Sequence, residues 1–202
     1  MRITVVSIML FVGFSTQTIA QNFDAGIIAG LAATQVDGDT HSGYNKAGLI
    51  IGIWVGRRIN NIFYARGELR YVQKGSFEKS IQDGATIGFY RMRLNYYEMP
   101  LILGYRFGNG LNALAGLSIG YLGKAVEMNQ SGPYPEEDIQ KFRKAEFAGM
   151  AGVEYNQSEH WAFNAMFSYS IFPIRPFIIT TINRWNRGQY NNVIELVARY
   201  KF

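Results

Sequence analysis

The sequence predicts an all-β fold, an eight-stranded antiparallel up-and-down transmembrane β-barrel. Three observations predict it. Eight segments alternate with a period of two between an apolar face and a polar or small face. The connections between them alternate between short and long. The aromatic residues of the apolar face collect at the segment ends, with Leu, Ile, Val, Ala and Gly between them.

The first segment is residues 23–34, with Phe23, Ala25, Ile27, Ala29 and Leu31 on one face and Asp24, Gly26, Ile28 and Gly30 on the other. Residues 47–56 set Leu49, Ile51, Ile53 and Val55 against Gly48, Ile50, Gly52 and Trp54. Residues 62–74 set Phe63, Ala65, Gly67, Leu69 and Tyr71 against Tyr64, Arg66, Glu68, Arg70 and Val72. Residues 90–107 follow, with Met99, Leu101, Leu103, Tyr105 and Phe107 opposite Glu98, Ile102, Gly104 and Arg106. Pro100 has no N–H to donate, so an irregularity is expected there. Residues 111–122, 146–155 and 161–170 repeat the pattern. Residues 193–202 close the set, with Ile194, Leu196, Ala198, Tyr200 and Phe202 on the apolar face and Glu195, Arg199 and Lys201 on the ionic one. This last strand is expected to pair with residues 23–31. Each segment is near the roughly 9–11 residues that a tilted membrane strand requires.

Short turns are expected at residues 57–61, 108–110 and 156–160, and long loops at 35–46, 75–89, 123–145 and 172–191. Short turns at one end and long loops at the other are the pattern of an outer-membrane barrel, with the short turns and both termini periplasmic. The N-terminus fits export. Arg2, an apolar stretch over residues 3–14 and Thr18-Ile-Ala20 read as a signal peptide over residues 1–20, leaving residues 21–202 as the barrel domain. No later apolar run reaches the roughly 18 residues of a membrane helix, so a closed barrel is the remaining way to satisfy backbone hydrogen bonds in lipid.

Composition agrees. The chain has 202 residues, 22 Gly and 15% aromatics, which suits many short strands in one domain. It has no Cys, which excludes thiolate chemistry and disulfides. The net charge of +5 is dispersed, and Lys141-Phe-Arg-Lys144 is its one dense basic run, so nucleic acid is not an expected partner.

An eight-stranded barrel is filled by its own side chains. Arg66, Glu68, Arg70, Glu98, Arg106, Glu154, Glu195, Arg199 and Lys201, with Asp24, point inward, and they are expected to pair into one ionic network that seals the lumen. A gated ion path is the functional alternative. Inward Gly26, Gly30, Gly48, Gly52, Gly116 and Gly120 are expected to make room for the long charged chains. No catalytic, cofactor or metal site is expected. Of the two His, His160 falls in a short turn, and His41 lies in a loop beside Ser42, Asp37 and Asp39 without a rigid support. Asp37-Gly-Asp39 lacks the distal ligands of a Ca²⁺ loop and reads as turn chemistry.

Tyr71-Val-Gln-Lys-Gly75, Leu94-Asn-Tyr-Tyr-Glu-Met-Pro-Leu-Ile-Leu-Gly-Tyr105 and Ala115-Gly-Leu-Ser-Ile-Gly-Tyr121, with the closing strand, resemble the PorT-like outer-membrane β-barrel family typical of Bacteroidetes. The resemblance implies an outer-membrane barrel and, as one alternative, a component of the type IX secretion and gliding machinery. Tyr200 and Phe202 resemble the terminal aromatic assembly signal of such barrels, which implies the outer-membrane assembly machinery as a partner during insertion. The function expected is that of a non-catalytic structural or accessory subunit acting through its outer loops or barrel wall. Outer-membrane lipid, lipopolysaccharide and a larger outer-membrane complex are the expected partners. A narrow ion-conducting pore and an outer-rim lipid-modifying enzyme compete with that expectation.

Overall fold

The computed structural model describes residues 23–39, 41, 43–82, 85–134, 141–176 and 188–202. The expected signal peptide lies outside the described residues. Eight strands close into a ring: β1 (Phe23–Asp37), β2 (Lys46–Arg58), β3 (Phe63–Gln82), β4 (Ala85–Gly108), β5 (Leu111–Asn129), β7 (Ala145–Asn156), β8 (Trp161–Ser170) and β9 (Tyr190–Lys201). A two-residue strand, β6 (Gly132–Pro133), folds back on the end of β5 outside the ring. Each strand is antiparallel to its neighbours in chain order, and β9 returns to β1. That seam runs from Gly26↔Lys201 to Asp37↔Tyr190, farther along β1 than the alternation alone predicts, and the Phe202 N–H donates to the Ala25 carbonyl at 3.1 Å.

The alternation sets the two faces. Leu31, Leu69, Met99, Leu101, Leu117 and Leu196 are all exposed, Leu31 at 64% and Leu101 at 66%. A continuous apolar wall of this kind is an interaction surface, and in a closed barrel it is the lipid face. Aromatic residues bound it at both ends. At the short-turn end, Trp161 meets Tyr200 edge-on at 5.0 Å and Tyr105 meets Phe107 at 4.9 Å. At the long-loop end, Tyr71, Tyr97 and Tyr121 form one row across β3, β4 and β5. Inside, the ionic groups share the lumen with apolar clusters, among them Ile28, Ile50, Trp54, Val72 and Val197. Among the described residues no helix is long and apolar enough to cross a membrane, which does not bear on strands.

The strands that most outgrow their expected lengths are β3, β4 and β5. The segment expected as a loop over 75–89 is a continued hairpin, β3 reaching Gln82 and β4 beginning at Ala85. β5 likewise continues to Asn129. Gly75 and Gly123, where two of the expected loops begin, lie inside the strands. Gly75 adopts φ 131°, and a Cβ there would collide with the Met92 carbonyl oxygen. Gly123 is the extra residue where the pairing steps from Asn95↔Lys124 to Tyr96↔Leu122. At Pro100, by contrast, the β3–β4 ladder passes from Gly67↔Leu101 to Arg70↔Glu98 with no change of register, so the proline costs local pairing and produces no bulge.

Candidate functional site: the ion-paired lumen

β3 builds the site. Its period of two puts Arg66, Glu68, Arg70 and Lys74 on the inner face, each fully or almost fully buried. Three nodes follow from the short-turn end upward. At the first, Glu154 of β7 receives Arg66 Nη1 at 2.5 Å and Arg199 Nη2 at 3.0 Å. The Tyr64 hydroxyl donates to the same carboxylate at 2.7 Å, and Arg66 Nε donates to Glu68 at 2.8 Å. Arg199 lies over the Trp54 ring at 4.3 Å, whose indole N–H donates to the Tyr200 carbonyl at 3.1 Å. At the second, Arg70 is held between Glu195 at 2.7 Å and Glu98 at 2.9 Å, with Glu68 at 3.6 Å. At the third, Lys74 bridges Glu98 at 2.6 Å and Glu146 at 3.0 Å. The Ser170 hydroxyl and the Asn191 amide complete Glu146 at 2.6 and 3.0 Å.

The three nodes join four cations to five carboxylates in a chain of shared partners. Charges this buried persist only when paired and hydrogen-bonded, and the spare lone pairs are taken by Tyr64, Ser170 and Asn191. Above the third node a separate pair, Arg175 and Glu127 at 2.5 Å, sits under the long-loop end. The Tyr90 hydroxyl donates to Glu127 at 2.6 Å, and burial with that contact raises its pKa. His41 stacks on Tyr90 at 4.3 Å and pairs with Glu78.

Of the residues expected in the network, Arg66, Glu68, Arg70, Glu98, Glu154, Glu195 and Arg199 are brought together. Arg106, Lys201 and Asp24 are not. Arg106 reaches the Asn61 carbonyl at 3.4 Å, and Lys201 meets Asp24 at 3.5 Å, all at the open short-turn mouth. There a cavity of about 360 Å³ is bounded by Trp54, Tyr64, Arg106, His160 and Arg199, with Arg66 and Glu154 at its floor. The reason for the difference is height, since Asp24, Arg106 and Lys201 sit within two residues of the short-turn ends of their strands, Asp24 exposed and the other two half-buried. Lys74 and Glu146 belong to the network and were not among the expected residues. Their signal was parity, Lys74 sharing it with Arg66 and Arg70, and Glu146 with Glu154. Arg175 lies in a connection without periodicity and gave no signal. The inward glycines divide in their use. Gly52 and Gly120 face the Arg70 and Glu98 side chains, whereas the space at Gly26 is taken by Trp54 and the Tyr200 carbonyl.

Among the described residues no three His, Cys, Asp or Glu side chains gather as a metal site. Tyr200 pairs with Ile27 and Trp161 at the seam, and Phe202 follows it beside Ala25.

Solved structures share the architecture. The attachment invasion locus protein Ail of Yersinia pestis, solved with the heparin analogue sucrose octasulfate, is 17% identical, and the match covers 89% of this chain and 99% of Ail at a TM-score of 0.50. Neisserial surface protein A is 14% identical over 88% of this chain and 97% of its own, at a TM-score of 0.58. At these identities the likeness is one of fold. No curated protein matches the sequence. The family described as outer membrane protein beta-barrel domain matches residues 6–202. The chain belongs to that family and is a β-barrel protein of the bacterial outer membrane.

Proposed function

We propose that this protein is a sealed, non-catalytic outer-membrane barrel that acts as a structural or accessory subunit through its long-loop end and outer wall. One observation carries the reading. Arg66, Arg70, Lys74, Glu98, Glu154 and Glu195 are each no more than 3% exposed and lie across the lumen in contact with one another. Buried, mutually paired side chains across the section of an eight-stranded barrel support a sealed interior over a conducting one. What remains for contact is the part that rises past the tyrosine row, formed by β3, β4 and β5 at 20, 24 and 19 residues against 10 for β8.

The long-loop end faces outward and both termini face the periplasm. Tyr200 and Phe202 serve as the assembly signal. The partner is a larger outer-membrane complex, and the resemblance to PorT-like proteins makes the type IX secretion and gliding machinery the first complex to examine. The purified barrel in a planar bilayer is expected to show no open-channel steps, and stepwise conductance would overturn the sealed lumen. Cross-linking in native outer membranes followed by mass spectrometry is expected to return a defined partner. Recovery of the barrel alone would remove the accessory role. Deleting Tyr200 to Phe202 is expected to block insertion, and a truncation with normal heat-modifiable gel mobility would overturn the assembly role.

A further inference from the structure

The cavity at the short-turn mouth is unbalanced in charge. Six of the side chains that line it are Arg or Lys, and three are carboxylates. The period of two turns four of the guanidinium groups inward from four different strands. Arg58 of β2 pairs across the ladder with Tyr64, which shares the parity of Arg66 in β3. Arg106 of β4 shares the parity of buried Ile102, and Arg199 of β9 that of buried Val197 and Glu195. The carboxylates are committed elsewhere or exposed. Glu154 is taken by Arg66, Arg199 and the Tyr64 hydroxyl, Asp24 faces Lys201, and Glu159 lies in the exposed turn between β7 and β8. Among the described residues no carboxylate comes within ion-pair reach of Arg58 or Arg106. At the floor, Arg66 gives Nε to Glu68 and Nη1 to Glu154, and its Nη2 is buried with no acceptor.

A concave site with an excess of one charge and a buried donor left unmet is complementary to an anion. Its dimensions suit a small one. The volume of about 360 Å³ lies at the low end of the roughly 300–1,000 Å³ of small-molecule pockets. Arg66 is three residues from the start of β3 and Glu154 two from the end of β7. At about 3.3 Å per residue and a tilt near 40°, the floor is about 5–8 Å below the rim. One carboxylate satisfies one guanidinium fork, whereas a phosphate monoester offers three acceptor oxygens and a charge of about −1.5 to −2 at pH 7. Guanidinium groups converging from several strands therefore fit phosphate better. We infer that the short-turn mouth binds the phosphate group of a small molecule, with Arg58, Arg106 and Arg199 around it and Arg66 behind them. The site takes its floor from the ionic network of the sealed lumen and so rests on that reading.

The test uses the full-length barrel folded in detergent, in chloride buffer free of phosphate, with calorimetric titration of glucose 6-phosphate, inorganic phosphate and glucose. At least one of the two phosphates is expected to bind, and glucose is not. Binding of glucose 6-phosphate that inorganic phosphate displaces only in excess assigns the site to a phosphorylated molecule, and equal competition assigns it to phosphate itself. Arg58→Gln and Arg106→Gln are each expected to weaken binding about tenfold. Arg91→Gln with Arg93→Gln at the other end is expected to leave it unchanged. Failure of both phosphates to bind overturns the site, as does glucose binding as tightly as its phosphate. A heat-modifiable variant carrying both Arg58→Gln and Arg106→Gln with full affinity overturns it too. If that variant does not fold, Arg58→Gln alone decides, since Arg58 is exposed. The sealed lumen fails separately. Stepwise conductance would remove the closed floor whatever the affinity, whereas a silent bilayer with no phosphate binding would remove the site and leave the sealed lumen standing.

Discussion

Two sets of cations stand on opposite sides of one wall. Arg66, Arg70 and Lys74 line the inner face of β3, while Arg91, Arg93 and Lys124 stand on the outer face of β4 and β5. The inner set is buried and bonded to Glu68, Glu98, Glu146, Glu154 and Glu195. The outer set has no carboxylate partner among the described residues. The same residue types therefore do different work according to what surrounds them. Within the lumen a charge is held because its partners are fixed, and removing one leaves the others stranded. On the outer face a charge has solvent or a lipid headgroup, so its removal leaves the fold intact and changes only what binds.

The largest break in this comparison is Arg70→Met. It leaves Glu195 without a cation and Glu98 with Lys74 alone. Removing one partner from a buried ionic group costs about 3–5 kcal/mol. Urea unfolding in lipid vesicles is expected to show that loss for Arg70→Met, against less than about 0.5 kcal/mol for Arg93→Gln. Equal effects would erase the distinction between the two sets. Adding Glu195→Gln to Arg70→Met is expected to restore part of the loss, because it removes the stranded charge. If the two losses simply add, Arg70 and Glu195 are not coupled. A smaller effect is expected for Glu146→Gln, about 1–3 kcal/mol, since Lys74 keeps Glu98 and the amide retains a contact with Ser170.

The comparison also marks what was legible in the sequence. The closed ring and its two faces follow from a period of two that runs through every strand. Inside the membrane the outer residues must be apolar, so any charge on the strand declares the inner face, and Arg66, Glu98 and Glu154 could be placed at once. Past the tyrosine row that rule lapses, because both faces meet water or headgroups. The hairpin beyond Gly75 therefore reads as a loop in sequence although β3 and β4 continue through it. The same lapse hid Lys74 and Glu146, which stand where the expected strands ended. The outer cations were hidden because Arg91 and Arg93 break no alternation that the sequence displays there. Arg175 joins Glu127 from a connection with no repeat to place it, so only the fold brings them together.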